Sequence, residues 1–202
     1  MGTILLATTN PHKVEEIRAV LAPLGYDVRS LAGLASVPPE PIEDADSFLG
    51  NARLKALGYA CATGLECLAE DSGLEVDALG GAPGVHSARY SGLGGARAER
   101  DRANNEKLLR ELARVPPARR TARFVCAMCL AAPDGRILAE SSGTYEGVIA
   151  DAPVGENGFG YDPLLFLPDV GRTSAELSPD EKNARSHRGQ AARALADRLR
   201  GH

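Results

Sequence analysis

Four short segments of this 202-residue chain hold the side chains best suited to chemistry. The first is Thr8-Thr9-Asn10-Pro11-His12-Lys13, set where an apolar run ends and a helical pattern begins. Orphan N–H groups and the positive dipole end of a helix start favour an anion, and hydroxyls, an amide and an ammonium add donors. The segment can cradle a triphosphate. It reads equally as an ordinary helix cap beside a solvated lysine. It is not a Walker loop, because the G-x-x-x-x-G-K-[ST] pattern is absent.

The second segment is Glu70-Asp71-Ser72-Gly73, with Glu43 and Asp44 upstream in a Pro- and acid-rich stretch. Mg²⁺ needs hard oxygen ligands and takes one or two carboxylates while keeping water and substrate phosphate in its other positions. One such carboxylate can also take a proton from an attacking water, which turns a metal site into a hydrolytic one. The plain alternative is a solvated acidic turn.

The third is Lys182 with Ser186-His187-Arg188-Gly189, whose protonated side chains offer only donors and so match a phosphate or a keto-purine edge. A cationic helix entrance is the competing reading. The fourth is Gly158-Phe159-Gly160-Tyr161-Asp162-Pro163, where glycines allow close backbone approach, an aromatic can stack on a base and Asp162 can accept hydrogen bonds. A tight turn explains it as well.

These segments must be positioned by ordinary elements. Residues 3–7 read as a strand and 12–24 as a helix with Val14, Ile17, Leu21 and Leu24 on one side. A strand over 26–31 and a loop over 37–46 follow. Asp46 or Ser47 is expected to cap a helix with Phe48, Leu54, Leu57 and Tyr59 inward, stopped by Gly64. Residues 65–69 and 74–79 read as two strands parted by the acidic group, 80–95 as a Gly-rich loop and 98–113 as a helix. Residues 121–132 and 136–147 form an antiparallel hairpin about Pro133-Asp134-Gly135. Ser178, Pro179 and Glu181 match a capping box, and 190–199 a closing amphipathic helix.

The whole predicts a single α/β domain over residues 1–202. The net charge of −4 argues against binding nucleic acid through a broad basic surface. No stretch approaches the roughly 20 apolar residues of a membrane span, and no export signal is evident, so a cytoplasmic protein is expected. Cys61, Cys67, Cys126 and Cys129 are therefore expected as free thiols. Cys126 and Cys129 sit in an apolar run without a second ligand pair, which favours a buried strand over zinc.

Taken together and in order, the segments resemble the RdgB/inosine triphosphate pyrophosphatase family over nearly the whole chain. Further matches are Ser47-Phe48, Asn51-Ala52, Lys55-Ala56, Gly81-Ala82-Pro83-Gly84-Val85 and Ser87-Ala88-Arg89-Tyr90. The resemblance implies a long mixed β-sheet flanked by helices, two lobes with a central cleft, and a homodimer. It also implies Mg²⁺-dependent hydrolysis of non-standard purine nucleoside triphosphates (ITP, dITP, XTP) to monophosphate and pyrophosphate. By position, Thr8 to Lys13 and Lys55 would hold phosphates, Glu43 and Asp71 the metal, and Asp71 would be the base. Ser72, Phe159, Gly160, Tyr161, Asp162, Lys182, His187 and Arg188 would line the nucleotide pocket. Gly50 stands where the family usually has Glu, which leaves Glu70 and Asp77 as carboxylates that can assist. Alternatives are a Maf-like pyrophosphatase of other base preference and a nucleotide-binding module without turnover.

Overall fold

The structure, a computed structural model, describes residues 3–200, without the side chain of His12. Its elements are β1 (Thr3–Leu6), α1 (Pro11–Leu21), β2 (Asp27–Ser30), α2 (Phe48–Thr63), β3 (Cys67–Val76), α3 (Arg97–Leu112), β4 (Thr121–Ala131), β5 (Ile137–Ile149), β6 (Leu165–Leu167), β7 (Arg172–Thr173), α4 (Pro179–Arg185) and α5 (His187–Arg200). The seven strands form one sheet in the order β2-β1-β3-β4-β5-β6-β7. β1 pairs in parallel with β2 and β3, whereas β6 pairs antiparallel with β5 and β7, so the sheet is mixed as expected.

The chain divides into two compact units, each built from separated stretches of sequence. The first takes the residues up to Asp71, Cys126–Gly143 and those from His187 on; the second takes Ser72–Val125 and Thr144–Ser186.

In the first unit, β1 is apolar from Ile4 to Leu6 because both of its faces are covered there. Ile4 and Leu6 join a core with Val14, Ile17 and Leu21 of α1 and Ala192, Leu195 and Ala196 of α5. Leu5 and Ala7 join a second core with Ala52, Ala56 and Ala60 of α2. Removing side chains such as Ile17 and Leu21 from water stabilises the fold by about 1.5–3 kcal/mol each. The second unit has its own core, in which Leu74 and Val76 meet Leu108, Leu112, Tyr161 and Leu164.

Four expectations are corrected. α1 ends at Leu21 and tightens into a 3₁₀ turn over Ala22–Leu24, because Pro23 lacks the N–H that an α-helix needs there. The buried stripe of α2 is Phe48, Ala52, Ala56, Tyr59 and Ala60, while Leu54 is exposed. Small residues at i, i+4 and i+8 allow close approach to the sheet, and 54 lies off that stripe. The closing helix begins at His187 and is parted from α4 by extended backbone at Ser186. Finally, Glu70 to Gly73 do not separate two strands; β3 runs straight through them. Its charges have partners, so they impose no break.

The hairpin of β4 and β5 closes through the Ala132 N–H donating to the Arg136 carbonyl (2.8 Å), with Gly135 at positive φ in the turn. The Ser178 box also forms: the Glu181 carboxylate accepts from the Ser178 N–H (2.8 Å), and Ser178 Oγ accepts from the Glu181 N–H (3.3 Å).

Candidate active site

Successive side chains on a strand point to opposite faces, so the adjacent acids of β3 go separate ways. Glu70 follows Leu68 onto the face of α1 and α5; Asp71 follows Cys67 and Ala69 onto the face of α2.

Glu70 is 3% exposed and lies at the centre of a charge cluster. One carboxylate oxygen is ion-paired with Lys13 Nζ; the other accepts from Arg188 Nε (3.3 Å) and Cys126 Sγ (3.2 Å). Arg188, 1% exposed, also donates through Nη1 to Glu16 (2.5 Å). Burial alone would push the Glu70 carboxyl up, but the charges of Arg188 and Lys13 and the Lys13 and Cys126 hydrogen bonds hold it well below its usual range. Two cations and two anions neutralise one another, which makes burial tolerable.

Asp71 has a different environment. Its Oδ2 accepts from Asn51 Nδ2 (3.0 Å), and Asn51 Oδ1 in turn accepts from the Ala45 N–H (2.9 Å). One turn along α2, Lys55 Nζ is paired with Glu43 (2.7 Å). Burial pushes the Asp71 carboxyl up, and the neighbouring Glu43 and Glu70 charges add to it, against opposition from the Asn51 hydrogen bond and Lys55. Burial is also the largest influence on Lys55, lowering its affinity for a proton, yet Glu43, Glu70 and Asp71 together hold the ammonium above its usual value. A half-buried carboxylate whose burial is not fully offset, with a second carboxylate close by, suits a divalent cation, and hard oxygens suit Mg²⁺. No cluster of three or more His, Cys, Asp and Glu among the described residues is placed to hold a metal without other ligands.

Each of the two carboxylates expected to assist has partners of its own. Glu70 is enclosed on the opposite face of the strand, and Asp77, in the second unit, is bound by Arg123 (2.9 Å) and Thr121 (2.6 Å). Gly50 is closely covered: a Cβ there would lie 2.6 Å from the Ala45 Cβ and 3.0 Å from Ser47 Oγ. The glycine lets the 45–47 turn seat on the start of α2, where Ser47 caps the helix by accepting from the Gly50 N–H (3.1 Å).

At the end of β1, Thr8 Oγ1 accepts from the Asn10 N–H (3.1 Å) and the Asn10 carbonyl accepts from the Val14 N–H (3.2 Å). Thr8, Thr9 and Asn10 thus form the turn that starts α1 at Pro11, with Lys13 one turn's reach inside it. The side chain of His12 lies outside the described residues. His187 and Arg188 open α5 and are buried. Gly143 of β5 allows this: a Cβ there would press into the His187 carbonyl oxygen and lie 2.7 Å from the Ala191 nitrogen.

The remaining residues predicted from sequence belong to the second unit. Ser72, half-buried, is its first residue. Asp162 is buried and accepts from the Phe159 N–H (2.8 Å), Ser174 Oγ (2.8 Å) and Lys182 Nζ (2.6 Å). The Phe159 ring has the Arg97 guanidinium 4.4 Å and Lys182 Nζ 5.1 Å from its centre. Tyr161 points into the core and donates to the Ser87 carbonyl (2.8 Å), so it supports the segment from within. A cavity of about 510 Å³ adjoins this loop; of the predicted residues only Phe159 and Gly160 line it, opposite Asp101 and Asn105 of α3.

Sequence reasoning gave no role to Asn51, Arg97, Asp101 or Asn105. The signal was spacing: Asn51 and Lys55 stand at i and i+4 on α2, and Arg97, Asp101 and Asn105 at i, i+4 and i+8 on α3. The cysteines are free, as expected. Cys126 and Cys129, three apart on a strand, join opposite cores and cannot share a metal.

Fold and side chains define an α/β protein with a carboxylate–lysine site suited to phosphate chemistry. Residues 4–198 match the model of the Ham1 family, and the chain belongs to that family. It is similar to the dITP/XTP pyrophosphatases of Nitratidesulfovibrio vulgaris, with 54% identity covering 97% of this chain and 95% of the relative, and of an Exiguobacterium species, with 51% identity covering 95% and 94%. The solved HAM1 protein of Coxiella burnetii superposes with a TM-score of 0.88 at 39% identity, covering all of both chains.

Proposed function

We propose that this chain is a Mg²⁺-dependent pyrophosphatase that hydrolyses non-standard purine nucleoside triphosphates, dITP, XTP and ITP, to the monophosphate and pyrophosphate. The observation that carries the reading is Asp71: a half-buried carboxyl with a raised proton affinity, oriented by Asn51 beside the Lys55–Glu43 pair. Identity near 50% to relatives named dITP/XTP pyrophosphatase, over almost the whole length, supports the substrate class.

Asp71 takes the proton of a water that attacks the α-phosphorus, the bond from that phosphorus to the α,β-bridging oxygen breaks, and pyrophosphate leaves. Its raised proton affinity makes it a stronger base than an exposed aspartate. Lys13 and Lys55 exchange their carboxylate partners for phosphate oxygens, and the donors of residues 8–10 add to the cradle. Glu43 and Asp71 would hold Mg²⁺, which when bound supplies neutralisation of phosphate charge. Phe159 stacks on the base, and Lys182 offers a donor to a 6-keto oxygen. An adenine amino group would leave such a donor unpaired, at a cost of about 1–3 kcal/mol. The family resemblance supports a homodimer, and the absence of a membrane-crossing helix among the described residues accords with a cytoplasmic setting.

The test is pyrophosphate release from ITP, dITP, XTP, ATP, GTP and dTTP, each with and without Mg²⁺. Metal-dependent turnover of the first three far above the others is expected. A preference for dTTP, or no turnover at all, would overturn the reading.

A further inference from the structure

Gly160 is held twice by one helix. Its N–H donates to Asp101 Oδ2 and its carbonyl accepts from Asn105 Nδ2, each at 3.0 Å. Asp101 and Asn105 are one turn apart on α3, so their side chains project from the same side and can bracket the two peptide groups that flank a single residue. One turn earlier on the same stripe, Arg97 lays its guanidinium over the ring of Phe159 and approaches Asp101 at 3.6 Å. From the other side, Asp162 takes the Phe159 N–H. Polar groups of a surface loop are satisfied by water at little cost. Here both polar groups of one residue and the adjacent ring are fixed by three side chains at a four-residue interval, which is more than solvation of the loop requires.

We propose that Arg97, Asp101 and Asn105 are positioning residues that set the Phe159–Gly160 segment in the conformation that receives the nucleobase. The assignment rests on the reading of Phe159 as the base-stacking residue. Asp101 and Asn105 fix the backbone on the C-terminal side of Phe159, Asp162 fixes its own N–H, and Arg97 restrains the ring by a cation–π contact. A loop held in its binding conformation loses less freedom when the base arrives, so the effect belongs in substrate affinity and not in the chemical step.

The experiment compares wild type with Arg97→Ala, Asp101→Ala, Arg97→Lys and Asp101→Asn. KM and kcat are measured for ITP, together with inhibition by inorganic triphosphate, which carries phosphates but no base. Each alanine variant should raise KM for ITP about tenfold, with kcat within about threefold and the inhibition constant of triphosphate unchanged. Arg97→Lys keeps a cation and Asp101→Asn keeps an acceptor, so both should recover most of the lost affinity. An unchanged KM for ITP, or equal weakening of ITP and triphosphate, would overturn the assignment while leaving the function intact. Absence of ITP turnover by the wild type would instead overturn the proposed function, and this assignment with it.

Discussion

Glu70 and Asp71 are neighbours on β3 and differ in almost everything that governs a carboxylate. Glu70 faces α1 and α5, where Lys13 and Arg188 over-compensate its burial and hold its proton affinity well down. Asp71 faces α2, where the Asn51 hydrogen bond and the Lys55 charge do not offset burial and its proton affinity rises. A charge that is fully matched contributes to holding the protein together; one left under-matched retains the capacity to bind a cation or accept a proton. The strand's period of two divides an acidic pair into an anion whose burial is more than offset and one whose burial is not.

Four experiments break or sharpen this contrast. The largest expected effect is that of Asp71→Asn, which should lower kcat by about 10²–10⁴-fold while nucleotide affinity stays within a few-fold. Because the folded state raises the Asp71 pKa, its ionised form costs stability as pH rises through that value. The neutral amide should therefore leave the midpoint of thermal unfolding at neutral pH unchanged or higher, and a marked fall would blur the division between the two acids. Glu70→Gln should act in the opposite sense, leaving Arg188 without its central anion at a cost of about 3–5 kcal/mol. Calorimetry should record a fall of roughly 6–20 °C for a chain of this size.

Lys55→Ala probes the Asp71 face again: if Lys55 holds phosphate as proposed, losing that charge-assisted contact should raise KM for ITP about tenfold, with a small change in thermal midpoint. The smallest effect concerns the thiols. Burial pushes Cys129 and Cys67 up to about 12 and Cys126 up as well, so none presents a thiolate near neutrality. Ellman's reagent should find one reactive thiol, Cys61, in the native protein and four after denaturation; two or more in the native protein would show that a face of β3 or β4 is open.

The class of fold was legible because hydrophobic periods are local: the apolar run of β1, the Val14-Ile17-Leu21 stripe and the Pro-Asp-Gly turn each carry their own signal. The position of Asp71 beside Lys55 was not, since it depends on α2 packing against β3. The inward stripe of α2 was not legible either, because alanines signal weakly beside the exposed Leu54. Nor was the pairing of Lys13 and Arg188 with Glu70 legible, since cations that can face a ligand and an acid that can assist a metal carry no sequence signal of each other. Charge along a chain does not reveal its partner 118 residues away. The grip of α3 on Gly160 shows only in the spacing of three polar residues, which by itself suggests a solvated face.

Gly143 bears on how this protein changes over generations. It touches none of the chemistry proposed here, and exchanging it for alanine would add one methyl group. Yet that group would meet the backbone at the start of α5, the turn that carries His187 and Arg188. Natural variants that lose function should accordingly include substitutions at Gly143, where a ranking of positions by distance from Asp71 or by residue chemistry would not look for them.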